Sequence, residues 1–149
     1  MSKNPVEKKI SKNPQKIMVF GTFDGLHLGH LNFFKQARAL AGEAYLIVSI
    51  ARDENVFKIK GTHPRKSEQS RADLVRKSKL VDKVILSGRT NHIPHIVKER
   101  PDIIALGYDQ KAYVKNLKKE LKDKGLKVKI ARLKSYKEKI YKNHLLKKS

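Results

Sequence analysis

Cysteine is absent from the 149 residues. That removes disulfides, thiolate metal sites and thiol nucleophiles from the possible chemistry. No apolar run approaches the roughly 20 residues needed to span a bilayer. The Lys- and Asn-rich beginning carries no apolar segment of the kind found in a secretory signal, so a cytoplasmic setting without membrane contact is expected. Acidic residues are scarce, 14 Asp and Glu against 35 Lys and Arg, which gives a net charge of +21. What remains is a chain with 39% hydrophobic and 33% charged residues, suited in size and composition to one folded domain with one sizeable core.

The charge excess is unevenly spread. Residues 111–149 hold fifteen Lys and Arg against three acids, residues 1–16 hold five Lys against one acid, and the long middle carries only +5. A solvated lysine-rich surface accounts for such runs. No aromatic-interleaved basic patch or RNA-binding signature accompanies them, so no nucleic-acid partner is expected, although attraction of polyanionic nucleotides is compatible with the same charge.

Residues 1–15 read as a flexible basic leader and residues 16–149 as a single domain. Short apolar runs at 16–20, 44–51, 84–86, 102–106 and 128–131 are strand candidates. Helical spacing of Leu31, Phe34, Ala37, Leu40 and Ala41 predicts a helix over 31–41, closed by Gly42. Further helices are expected over 68–79, from Pro94 through Val97, over 111–124 with Gly125 as its stop, and over about 136–147. The polar stretch 52–66, with Gly61 and Pro64, reads as a loop with room for a turn of helix. Alternation of strands and helices implies a Rossmann-like, doubly wound α/β fold: a five-stranded parallel sheet with helices on both faces. Such sheets bind ligands beyond the carboxyl ends of their strands, where strand order reverses.

The segment after the first strand, Gly21-Thr22-Phe23-Asp24-Gly25-Leu26-His27-Leu28-Gly29-His30, carries the most chemistry. Gly21 permits a tight turn, Gly29 leaves room for close approach, and the Thr22 hydroxyl can donate to phosphate. The helix that follows directs its unpaired N–H groups and the positive end of its dipole at the same point. His27 and His30 are three apart and share a face if both lie on the first turn. The set suits transfer of a nucleotidyl group to an acceptor phosphate, in which positioning and charge neutralisation do most of the work. It is not a P-loop, because the terminal Gly-Lys-Ser/Thr is missing.

Gly21-Thr22-Phe23-Asp24 with His27-Leu28-Gly29-His30 resembles the signature of the cytidylyltransferase-like superfamily. The resemblance continues through Arg52-Asp53-Glu54-Asn55-Val56, Lys58-Ile59-Lys60-Gly61, Arg71, Val81-Asp82-Lys83-Val84 and residues 100–110. The ending Gly107-Tyr108-Asp109-Gln110 is most similar to archaeal FAD synthases. That resemblance implies transfer of AMP from ATP to FMN with release of pyrophosphate, assisted by Mg²⁺ or another divalent cation that accompanies the nucleotide. It also suggests a homodimer. It makes His27, His30 and Lys60 the catalytic candidates, and places Gly21, Thr22, Phe23, Asp24, Gly29, Lys58, Arg71, Gly107, Asp109 and Arg132 with them around the nucleotide. Asp24 would orient the site or a metal, and Lys58 and Lys60 would lie on the phosphates.

Relatives carry an arginine followed by serines or threonines at the start of a late helix. Here Arg132, Lys134 and Tyr136 match but the paired hydroxyls are absent, leaving Asn143, His144 or lysines as substitute donors. Two other readings therefore stay open on the residues alone. One is a CTP-dependent enzyme acting on glycerol 3-phosphate or a similar alcohol phosphate. The other is a non-catalytic nucleotide- or RNA-binding relative. Elsewhere, His92 and His95 flank Pro94 without a third ligand, so surface or helix-cap roles are expected and no metal site. Asp82 reads as a turn residue, and either Tyr136 or Tyr141 is a candidate to stack on a base or flavin ring.

Overall fold

The computed structural model describes residues 14–89, 91–108, 110 and 116–135. The expected helix over 136–147, residues 1–13 of the expected leader, and Asp109, Tyr136, Tyr141, Asn143 and His144 lie outside them, and Gln15, expected to end the leader, opens the first strand. Five strands and five helices follow in the order β1 (Gln15–Gly21), α1 (Leu28–Arg38), β2 (Ala44–Ile50), α2 (Asp53–Lys60), α3 (Glu68–Lys77), β3 (Lys83–Leu86), α4 (Ile93–Glu99), β4 (Ile103–Leu106), α5 (Leu117–Asp123) and β5 (Lys129–Arg132). The strands form one sheet in the order β3-β2-β1-β4-β5, with every pairing parallel. The Rossmann-like, doubly wound arrangement expected from the alternation is therefore present. Among the described residues no helix is long and apolar enough to cross a membrane.

The central strand shows why the run at its heart is apolar throughout. Ile17, Met18, Val19 and Phe20 are all buried because both faces of β1 are covered. Ile17 and Val19 join Leu46, Val48 and Ile50 of β2 beneath Phe34 and Ala37 of α1 and Ala72 and Val75 of α3. Met18 and Phe20 face the other way, into Ile93 and Ile96 of α4 and Leu117 and Leu121 of α5. Helices α1 and α3 thus cover one face, and α4 and α5 the other. Because β1 lies between β2 and β4, strand order reverses at β1, and the crevice beyond its carboxyl end is the expected ligand position.

Element boundaries shift by a few residues from the reading of the sequence. The helix expected over 31–41 ends at Arg38 with Ala39 as its C-cap, so Gly42 does not close it, and two other differences have a clear cause. Helix α1 starts at Leu28, three residues before the apolar periodicity begins, because His27 caps it. The stretch expected to be a loop contains α2, an eight-residue helix that buries only Val56. Its signals are electrostatic and terminal: Asp53 and Glu54 occupy the first turn, Lys58 and Lys60 the last, and Gly61 ends it at φ 79 with its N–H on the Phe57 carbonyl.

The turn out of β1 is sterically demanding. Phe23 adopts φ 52, an uncommon left-handed conformation for a bulky side chain, and folds its ring back over Gly21. A Cβ on Gly21 would lie 2.5 Å from Phe23 Cζ. The ring has little room to retreat, because it is 5% exposed and packs on Phe34 at 5.3 Å and edge-on to His30 at 5.2 Å between centroids. Gly21→Ala is accordingly expected to cost about 1–3 kcal/mol by overpacking. Gly42→Ala, where an added Cβ meets nothing within 4 Å, is expected to be near neutral. Urea unfolding of both variants checks this, and equal stability of the two would refute the packing account.

Candidate active site

A cavity of about 1350 Å³ opens beyond the carboxyl ends of the strands. Its wall includes Gly21, Thr22, Phe23, Asp24, His27, Gly29 and His30 from the first loop, Lys58 and Lys60 from α2, and Gly107 past β4. Ten of the residues expected around a nucleotide therefore meet at one place. The volume exceeds the roughly 300–1,000 Å³ typical of a single small-molecule pocket, so two substrates fit side by side.

The two histidines are organised by reciprocal capping. His27 is the N-cap of α1 and its Nδ1 accepts the Gly29 N–H at 3.1 Å, while His30 Nδ1 accepts the His27 N–H at 3.4 Å. The rings stack with centroids 3.8 Å apart and planes inclined by 23°. Acceptance of the Gly29 N–H at Nδ1 leaves the His27 ring with Nε2 as its donor position, whereas the His30 ring also has a hydrogen bond with the Gly25 backbone. Burial pushes the His30 pKa down to about 4, helped by the neighbouring His27 and opposed by a hydrogen bond with the Gly25 backbone. His30 is therefore a neutral donor across the physiological range. The capping also modifies what the helix end offers, since the N–H groups of His27 and Gly29 are already bonded to imidazole nitrogen. Gly29 is required by the same contact, because a Cβ there would lie 2.9 Å from His27 Cε1.

Asp24, Arg71 and Arg132 are placed differently from the cavity-facing residues. Asp24 lies on the cavity wall, but its two carboxylate oxygens accept the backbone N–H groups of Arg65 and Lys66 at 2.7 and 2.9 Å. These bonds, the one from Arg65 first, hold its pKa below the usual value against the opposing effect of burial. Arg71 is fully buried and is not among the lining residues. It donates to the Thr22 carbonyl at 2.9 Å, the Lys66 carbonyl at 3.0 Å and Asp53 Oδ1 at 2.6 Å. The expected contact with nucleotide is replaced by a tie between the first loop, the start of α2 and the start of α3. Arg132 donates to the Gly107 carbonyl at 2.7 Å and to the Gln110 carbonyl, which fixes the chain after β4.

His92 and His95 are half-buried, and His92 occupies the N-cap position of α4 without a side-chain capping bond. His92 lines the cavity, and His95 stands behind Ser49 with Nε2 3.0 Å from its hydroxyl. Burial lowers the pKa of both, that of His95 to about 4 with a further contribution from His92. The sequence reading passed over Ser49, Ser87 and Asn91, and named Asn55, Tyr108 and Gln110 only within segments of resemblance; all six line the same cavity. Ser49 gave a usable signal, a hydroxyl interrupting an otherwise apolar strand. Asp82, read as a turn residue, binds the Leu46 N–H and Arg38, each at 2.7 Å.

The described residues contain no group of three or more His, Cys, Asp or Glu able to hold a metal ion, and Asp24 is already engaged. The donor set nevertheless fits a cation held mainly by phosphate oxygens and water, the usual situation for Mg²⁺ on a nucleotide.

A fold of this class is shared with known proteins. The sequence pattern of the cytidylyltransferase-like family matches residues 18–145, and the chain belongs to that family. It is 47% identical over 120 residues to an FAD synthase of Korarchaeum cryptofilum, covering 80% of this chain and 81% of that protein. It is 43% identical to an FAD synthase of Methanosarcina barkeri, covering 83% and 86% respectively. The crystal structure of a protein of Thermoplasma volcanium, described as a lipopolysaccharide core biosynthesis protein, superposes with a TM-score of 0.76 at 36% identity over 83% of this chain and 98% of that one.

The lowered histidine pKa values have a consequence for stability. Between the unfolded value of 6.5 and the folded value of about 4, the unfolded chain binds protons that folded His30 and His95 refuse. Stability is therefore full above pH 6.5 and falls as the pH drops toward 4. Urea midpoints measured across this window should decline, and the slope should flatten in His95→Gln. An unchanged slope in that variant would count against the buried neutral state.

Proposed function

We infer that the chain is an FAD synthase, transferring AMP from ATP to FMN to give FAD and pyrophosphate. The observation that carries the transfer chemistry is the stacked His27–His30 pair, capping α1 at the wall of a cavity large enough for two substrates. The choice of ATP and FMN rests on the similarity to archaeal FAD synthases over about four fifths of the chain. In this reading residues 16–149 are the catalytic unit, working as a homodimer in the cytoplasm.

In this reading an oxygen of the FMN phosphate attacks the α-phosphorus of ATP. The bond from that phosphorus to the bridging oxygen breaks, and its electron pair leaves on pyrophosphate. His27 donates from Nε2–H to the phosphate chain, aimed by its Nδ1 bond to the Gly29 N–H, and His30, stacked on it, turns its ring N–H from the Gly25 backbone to the same chain. The field at the amino end of α1 acts in the same direction. Lys58 and Lys60, both exposed on the last turn of α2, supply mobile positive charge to the β- and γ-phosphates. A divalent cation carried on the triphosphate supplies further neutralisation. Thr22 and the backbone around Gly21 and Phe23 face the α-phosphate, and the end of β4 at Gly107, with Asp109 beyond it, faces the nucleoside. Arg71 acts from behind by holding the Thr22 carbonyl, and Arg132 by holding the chain at Gly107 and Gln110.

Pyrophosphate release with Mg²⁺, crossing ATP and CTP against FMN and glycerol phosphate, tests the substrates. Turnover is expected with ATP and FMN, and a preference for CTP with glycerol phosphate would overturn the reading. His27→Ala and His30→Ala are each expected to lower kcat by about 100- to 1,000-fold, the loss seen on removing one preorganised transition-state donor. Parent-like turnover in either variant would remove that histidine from the mechanism.

A further inference from the structure

The phosphate-binding groups sit over the end of β1, and the sheet order gives the cavity a wing on each side of them. Toward β4 and β5 lies the wing assigned above to the nucleoside. Toward β2 and β3 the wall is formed by Ser49, Ser87, Gly88, Asn91 and His92. Arg89 also lines this side, paired with Glu54. The remaining side chains here are uncharged, and burial keeps the histidines neutral.

Two polar atoms in this wing lack partners. Ser87 is 3% exposed and its hydroxyl has no hydrogen-bond partner among the described residues. His95 Nδ1 is likewise without one. Proteins rarely leave such groups unpaired, and an exception at a cavity wall points to a partner that arrives with a ligand. His95 Nε2 lies 3.0 Å from Ser49 Oγ and holds that hydroxyl at the cavity wall. The floor is preformed: a Cβ on Gly88 would lie 2.4 Å from the Asn91 carbonyl oxygen, so only glycine fits there. Phe20 lies edge-on to His92 at 5.7 Å and to His95 at 6.1 Å.

We propose that this wing is the acceptor subsite, in which the Ser49 and Ser87 hydroxyls bind the uncharged polar edge of the acceptor's heterocycle. The proposal rests on the FMN reading above, in which that edge is the pyrimidine rim of the flavin with its two carbonyls and its N3–H. A neutral wall of hydroxyl, amide and imidazole groups matches such an edge. It is poorly suited to a phosphate, which the histidines and lysines over β1 and α2 would hold instead. Ser49 and Ser87 would then set acceptor choice, with His95 as the positioning residue behind Ser49.

The test is FMN binding, followed by flavin fluorescence, and Mg–ATP binding, followed by calorimetry, for the parent, Ser87→Ala and Ser49→Ala, together with FAD formation by the parent. Ser87→Ala deletes a hydroxyl without a protein partner, so its Tm should match or exceed that of the parent and report no folding defect. The expected result is at least a tenfold rise in the Kd for FMN in each variant, with the Kd for ATP changed less than twofold. Weaker ATP binding with unchanged FMN binding, or no change in either, overturns the subsite. FMN binding that depends on Ser87 in a parent that forms no FAD would sink the synthase reading alone. A parent that neither binds FMN nor forms FAD would sink both.

Discussion

The site depends on one local arrangement, the pair of imidazoles that caps α1 while facing the cavity. An N-cap is ordinarily Ser, Thr, Asp or Asn, whose oxygen satisfies an orphan backbone donor. Here His27 and His30 take that part with Nδ1, each bonding the backbone on the other's side of the turn. The substitution has a chemical consequence that a serine cap lacks. Committing Nδ1 of His27 to the backbone leaves its second nitrogen as a directed donor. Stability of the helix end and aim of the functional group are therefore one interaction. The surrounding residues serve it. Phe23 presents its ring edge-on to His30, Gly21 makes room for Phe23, and Gly29 makes room for His27.

A second constraint holds the loop against the rest of the fold. The Arg71 guanidinium is fully buried and meets Asp53 and two backbone carbonyls, so its charge and its donors are matched. Breaking one partner of such a pair is costly, typically by about 3–5 kcal/mol, because the remaining charge stays buried. Asp24 repeats the logic with the sign reversed, its carboxylate receiving two backbone N–H groups. Together these residues fix the distance between the glycine loop and α2, and hence between the histidines and the two lysines. They shape the anion site while spending their own charges on the protein.

This division explains how a chain with a net charge of +21 keeps a discriminating cavity. Positive charge reaches the cavity as mobile lysines on α2 and as the field of α1. The wing beside β2 and β3 is built mainly from neutral groups, and its histidines are kept neutral by burial. The two parts of the cavity thus offer different chemistry within a few residues of each other.

The sequence by itself determined the sheet. Continuous apolar runs such as Ile17 to Phe20 suit strands covered on both faces, and their alternation with helical periodicity leaves a parallel α/β arrangement as the simple solution. It also determined the position of the first loop, because Gly21 and the His27/His30 spacing are local features. Helix α2 was less legible, since an eight-residue element with one buried side chain has almost no hydrophobic period and is marked by its end charges and Gly61. Only the tertiary structure decided the surroundings of Arg71, Asp24, Ser49 and His95. Their partners come from distant segments, so residue type and spacing carry no trace of them: the same arginine that reads as a phosphate ligand becomes a buried strut once Asp53 and the Thr22 carbonyl close around it. Local backbone geometry is written in neighbouring residues, whereas the burial and pairing of a polar group depend on which strands and helices the fold brings beside it.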